Sequence, residues 1–171
     1  MSEDVTRHHG RAWTFGDNVP TDSITPTEYV MEPMETRLQH VLEDRNPDFP
    51  SKVEPGDIVV AGQHFGQSSG RAVAPKTLKA TGIGCVVAES FARTFYRNGF
   101  EIGLPVLSCP GVLDLVSDGD IVSVGLASGV VSNETTGESL EGDPVDPFLL
   151  KMIEAGGLIA FAKRGIPGLE N

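Results

Sequence analysis

Two apolar runs in the middle of the chain, "DIVVAG" at 57–62 and "GIGCVVA" at 82–88, are short, unbroken and rich in β-branched residues. That pattern predicts strands buried on both faces. Between them "AVAPKTLKATG" reads as a helix with Gly82 as its C-terminal cap. "SFARTFYRNG" follows as a helix with Ser90 at the N-cap and Phe91 and Phe95 on one face. Strand, turn, helix, strand and helix in that order imply a parallel βαβ crossover.

The flanks differ from this middle. Upstream, a strand signal covers Ala12 to Phe15, with turn residues at Gly16, Asp17 and Asn18. Met34 to Glu43 reads as a helix that Asn46-Pro47 ends. Downstream, "DIVSVGLASGVVSNETTGESL" alternates β-rich runs with glycine and polar turns, which predicts antiparallel strands. A helix from Pro147 to Ala155 stops at Gly156-Gly157. The fold class is α/β with an added β layer. Residues 1–171 are expected to form one domain, with 1–9 a flexible terminus.

Composition narrows the function classes. No apolar run approaches the roughly 20 residues of a membrane helix, and "MSEDVTRHHGRAW" has no secretory core. Cys85 and Cys109 make neither a disulfide framework nor a CxxC pair, so a cytoplasmic location is expected. The net charge of −11 argues against nucleic-acid and anionic-membrane partners. Residues 71–97 nevertheless carry Arg71, Lys76, Lys79, Arg93 and Arg97 against the single anion Glu89. Such an island either attracts a small anionic ligand or simply solvates helix faces.

The chemistry concentrates in "GQHFGQSSGRAVAPKTL", residues 62–78, where a strand runs through a glycine-rich turn into a helix. Backbone N–H groups at such a junction favour an anion. Arg71 adds a planar fork suited to a carboxylate. Ser68 and Ser69 place hydroxyls in the same electropositive spot, where a serine can serve as proton acceptor. The plain alternative is that the glycines and serines only cap a helix.

"GQSSG" matches the nucleophile elbow G-x-S-x-G, but that reading needs a later histidine. His8, His9, His40 and His64 all lie at or before the turn. No Gly-Lys-Ser/Thr follows the glycines, so a phosphate loop is not indicated. The histidines form no metal pattern, and Cys85, inside an apolar strand, reads as a core residue.

"GDNVPTDSITPTEYV", "VVAGQHFGQSSGRAVAP", "VVAESFARTFYRNGFEIGLPVL" and "IEAGGLIAFAKR" resemble, in order and spacing, the small subunit of isopropylmalate isomerase. That subunit is equivalent to the swivelling C-terminal domain of aconitase. The resemblance spans nearly the whole chain and implies a three-layer β/β/α swivel domain with a mixed sheet. It also implies a cluster-free chain that works with a large subunit carrying a [4Fe-4S] cluster. The reaction implied is dehydration of a small hydroxy-dicarboxylic acid, with no nucleic acid or membrane involved.

The family turn usually reads G-C-G-S-S-R-E-H-A. Laid on "GQSSGRAVA", the resemblance makes Ser69 the base, puts Gly70 at the second serine and makes Arg71 the carboxylate clamp. Ser68 then stands at a glycine and is an alternative base. Gln67 replaces the cysteine, and Ala72-Val73 replace the Glu-His pair. Asp22, in the "TDxI" match, corresponds to an active-site aspartate. "YVMEPM" occupies the substrate-selecting loop, where Val30 and Met31 imply an apolar lining. An alkyl-substituted malate suits such a wall better than a second distal carboxylate. A methylmalate or dimethylmalate hydratase, a secondary-metabolite hydratase and a non-catalytic assembly partner are the competing readings.

Overall fold

One strand joins two kinds of sheet. In β1 (Arg7–Thr14) the first residues alternate between exposed and half-buried, whereas Ala12 and Trp13 are buried. Arg7 to Arg11 pair antiparallel with β5 (Ile121–Gly125). Ala12 to Thr14 pair parallel with β2 (Ile58–Ala61). The computed structural model describes residues 5–69 and 71–165. Its seven-stranded sheet has the order β4-β3-β2-β1-β5-β6-β7. Here β3 is Cys85–Ala88, β4 Val106–Ser108, β6 Val130–Asn133 and β7 Glu138–Glu141.

The parallel half follows from the apolar runs. All four residues of β2 and of β3 are buried, as strands covered on both faces must be. The antiparallel half alternates, with Val122, Val124 and Val131 inward and serines between them. This mixed sheet with its βαβ unit is the class that the sequence predicts.

The helices, in chain order, are α1 (Thr21–Ile24), α2 (Met34–Leu38), α3 (Phe49–Lys52), α4 (Val73–Ala80), α5 (Arg93–Ile102), α6 (Val112–Leu115), α7 (Pro147–Ala155) and α8 (Leu158–Lys163). α4 and α5 connect the successive parallel strands, and α7 runs over the expected span. Asp146 caps α7 by accepting the Phe148 N–H at 2.8 Å. No helix among the described residues is long and apolar enough to cross a membrane.

Four expectations change. The helix expected over Met34–Glu43 stops at Leu38, because Leu42 takes a left-handed φ of 55° and is fully buried. Core packing overrides helix propensity there. Ser90 does not cap α5, which starts after an extended Ala92; its hydroxyl instead accepts the His64 N–H at 2.9 Å. Residues 1–9 are not one flexible terminus, because Arg7, His8 and His9 lie in β1; residues 1–4 lie outside the described residues. The strand β4 and the helix α8 come from segments that the periodicity did not mark.

Around the junction of the two half-sheets the core is aromatic. Trp13 and Phe15 both meet Phe49 edge to face, at 5.2 and 5.6 Å. The Trp13 indole N–H donates to the buried Asp57 carboxylate at 2.8 Å, so the ring's one polar group is satisfied.

Candidate active site

The site lies beyond the carboxyl ends of the parallel strands β1 and β2, where open α/β sheets place ligands. The segment after β1 (residues 15–20) and the segment after β2 (residues 62–72) run side by side. Asn18 N–H donates to the Gln63 carbonyl at 2.7 Å, Gly66 N–H to Val19 at 2.8 Å and Thr21 N–H to Gln67 at 2.8 Å. The Asp17 carboxylate accepts the Gln63 N–H at 2.8 Å. These bonds fix α1, which carries Asp22, against the serine turn. On the other flank Phe65 exchanges backbone hydrogen bonds with Ser90 and Ala92.

Gly66 is a glycine for two reasons. Its φ is +82°, and a Cβ there would lie 2.3 Å from the Phe95 ring. Phe65 meets that same ring edge to face at 5.2 Å. The turn is therefore seated on α5 by direct contact between backbone and aromatic ring.

An open cavity of about 250 Å³ is lined by Thr21, Asp22, Thr25, Thr27, Val30, Ser69, Arg71, Val73 and Ala74. Drug-sized ligands take roughly 300–1,000 Å³, so this volume is on the scale of a small organic acid. Asp22, Val30, Ser69 and Arg71, far apart in sequence, come together on its wall. The Ser69 Oγ accepts the Arg71 backbone N–H at 3.2 Å, which orients the hydroxyl at the cavity. Among the described residues the Arg71 guanidinium makes no hydrogen bond or ion pair, and it stays available to a ligand carboxylate.

Two expected residues fall outside this wall. Met31 is 93% exposed, because the 3₁₀ turn Thr27–Tyr29 directs Val30 inward and Met31 to solvent. That turn is braced by Tyr29, whose ring stacks on His40 at 3.7 Å. Ser68 is exposed and does not line the cavity. Gly70 lies outside the described residues. Of the basic island only Arg71 reaches the cavity: Lys79 donates to the Ile102 carbonyl at the end of α5, and Arg97 pairs loosely with Glu101.

Ser68 has a φ of +95°, a region that side-chain-bearing residues occupy only with strain. Ser68→Gly is accordingly expected to stabilise the chain by about 1 kcal/mol. Urea unfolding of the two proteins checks this; a lower midpoint for the glycine variant would show that the serine is at ease in its conformation.

Sequence reasoning passed over Thr21, Thr25, Thr27, Val73 and Ala74. Val73 and Ala74 belong to the first turn of α4, and the amphipathic pattern gives no sign that this end faces a cavity. Thr21 and Thr25 are 6% and 3% exposed, and neither hydroxyl finds a hydrogen-bond partner among the described residues. A buried hydroxyl left so costs about 1–3 kcal/mol.

The thiols do not fit an iron–sulfur cluster. Burial pushes the Cys109 thiol up to about 11, helped by the nearby charges of Asp143 and Glu89, and raises Cys85 further. A cluster needs thiolates gathered around it. Among the described residues no three His, Cys, Asp or Glu side chains form a metal-binding group.

Residues 27–110 match the aconitase C-terminal domain. The chain is 49% identical to the 3-isopropylmalate dehydratase small subunit 1 of Methanopyrus kandleri, over 96% of each chain. It is 47% identical to the isopropylmalate/citramalate isomerase small subunit of Methanocaldococcus jannaschii, over 91% of this chain and 93% of that one. A crystal structure of a 3-isopropylmalate dehydratase from the same organism superposes with a TM-score of 0.86 at 34% identity, covering 92% of this chain and 94% of the other.

Proposed function

The chain belongs to the family of 3-isopropylmalate dehydratase small subunits, an aconitase-type hydro-lyase family, and from that premise we propose that it supplies the proton acceptor and the carboxylate clamp for an alkyl-substituted malate. The observation that carries this reading is the meeting of Ser69, Arg71, Asp22 and Val30 on one cavity wall. Arg71 holds a substrate carboxylate through its fork. Ser69, as the alkoxide, takes a carbon-bound proton; the C–H electron pair becomes the double bond as the neighbouring C–O bond breaks, and the departing hydroxide takes a proton from solvent to leave as water. Re-addition of water with the positions exchanged gives the isomer. The Arg71 N–H at 3.2 Å and the guanidinium charge both favour that alkoxide.

Asp22 orders the polar side of the cavity, while Val30, Val73 and Ala74 face the alkyl substituent. An acid with a third, distal carboxylate would bury a charge against that wall without a partner. Gly70, which the family resemblance puts at the carboxylate, lies outside the described residues, and Met31, exposed to solvent, lies off the wall. The [4Fe-4S] cluster implied by the family resemblance belongs to a large partner subunit, whose Lewis acidity complements these residues when the two chains meet.

The test is reconstitution with a cluster-bearing large subunit and a panel of 3-isopropylmalate, methylmalates, dimethylmalate, citrate and homocitrate. Alkylmalates are expected to turn over with the complex and with neither chain alone, and citrate and homocitrate at least tenfold more slowly. Equal turnover by the large subunit alone would leave this chain an assembly partner. The Methanocaldococcus relative is named for both isopropylmalate and citramalate, which favours a methylmalate as the second substrate to expect.

A further inference from the structure

Among the described residues, two buried side-chain polar atoms have no hydrogen-bond partner: the hydroxyl oxygens of Thr21 and Thr25. Both residues belong to the wall of the same cavity as Ser69, Arg71 and Asp22. Orphaned polar groups are rare in folded proteins and call for an explanation wherever they occur. Their coincidence in one cavity points to a ligand. We propose that Thr21 and Thr25 are substrate-binding residues whose hydroxyls donate to the carboxylate held by Arg71. The proposal rests on the dicarboxylate reading above and deepens it.

The two residues sit one helical turn apart, with the Thr25 N–H donating to the Thr21 carbonyl at 2.8 Å. In the present rotamers both hydroxyl oxygens are sealed from solvent, although each residue reaches the cavity. A 120° rotation about Cα–Cβ moves a threonine's hydroxyl to another staggered position, and in this way it can deliver the donor to the cavity. No protein hydrogen bond opposes the rotation. A common compensation for a helical threonine, donation to the carbonyl four residues back, is not made by Thr25 even though Thr21 stands at that position. Asp22 gives the wall a negative charge that repels a substrate carboxylate. Neutral hydroxyl donors beside Arg71 offset that repulsion without adding a further charge.

The variants are Thr21→Val and Thr25→Val, which delete the hydroxyls and keep the shape, with Thr25→Ser as rescue. In the reconstituted complex each valine is expected to raise the KM for 3-isopropylmalate about tenfold while kcat stays within threefold. The serine variant should stay within twofold of the parent. Malonate, a non-reacting dicarboxylate, should raise the melting temperature of the parent complex but not of the valine variants. Without ligand the valine variants should melt no lower than the parent. Unchanged KM and an unchanged malonate response would overturn the inference while leaving the dehydratase reading intact. So would a KM rise accompanied by a lowered unliganded melting temperature that serine does not rescue, since that pattern marks a structural role. A threonine-dependent malonate response in a complex that dehydrates none of the alkylmalates would uphold the inference and sink the dehydratase reading. No response to malonate and no turnover by the parent complex would sink both.

Discussion

Ser69→Ala in the reconstituted complex is expected to lower kcat by about 10²- to 10⁴-fold, the range that a positioned general base contributes. The variant removes one hydroxyl, half-buried at the cavity, whose single hydrogen bond among the described residues is the one accepted from the Arg71 N–H at 3.2 Å. That N–H lies at an exposed turn, where water can replace the lost acceptor, so the melting temperature should hardly move. Ser68→Ala is the internal comparison. Ser68 is exposed and off the cavity wall, and its alanine variant should keep most of the activity. Steady-state kinetics on the three complexes decide the matter. Full activity in Ser69→Ala, or a collapse in Ser68→Ala instead, would transfer the proton acceptor to another residue.

Arg71→Ala carries the second large effect. The guanidinium is exposed at the cavity and, among the described residues, bonds to nothing else, so its removal should not disturb the fold. A hydrogen bond to a charged group contributes about 1.5–3 kcal/mol, which corresponds to a rise in KM of about 10- to 150-fold. Arg71→Lys should recover only part of this, because an ammonium keeps the charge and loses the planar two-pronged donor. A KM within twofold of the parent for the alanine variant would mean that the substrate carboxylate is held elsewhere, and the open cavity would lose its meaning as an anion site.

The parallel strands could be read from the sequence because "IVVA" and "CVVA" have no charged or strongly polar position, and only a strand covered on both faces tolerates that. The antiparallel half was legible from alternation in the same way. Met34–Glu43 misled because Leu38, Val41 and Leu42 satisfy a helical spacing, while the core takes Leu42 in a left-handed turn that no local pattern announces. At the site, the chemistry of Ser69, Arg71 and Asp22 could be argued from residue type and the family motif. The wall could not. Whether Val30 or Met31 faces the cavity depends on a single 3₁₀ turn, and two adjacent apolar residues look alike in a sequence. The threonines were invisible for a related reason: a hydroxyl without a partner is a property of packing, and threonine in a "TDSIT" stretch gives no sign of it.

The ladder of bonds between the segments following β1 and β2 has an evolutionary consequence. The turn bearing Ser69 and Arg71 and the helix bearing Asp22 are laced together at residues 16 to 21, so neither can gain or lose a residue without unlacing the other. Paralogues with new preferences should therefore diversify by exchanging side chains at fixed loop length. Insertions are tolerable only past the ladder, in the stretch around Tyr29 to Pro33, where a new wall can be grafted while Ser69, Arg71 and Asp22 keep their register.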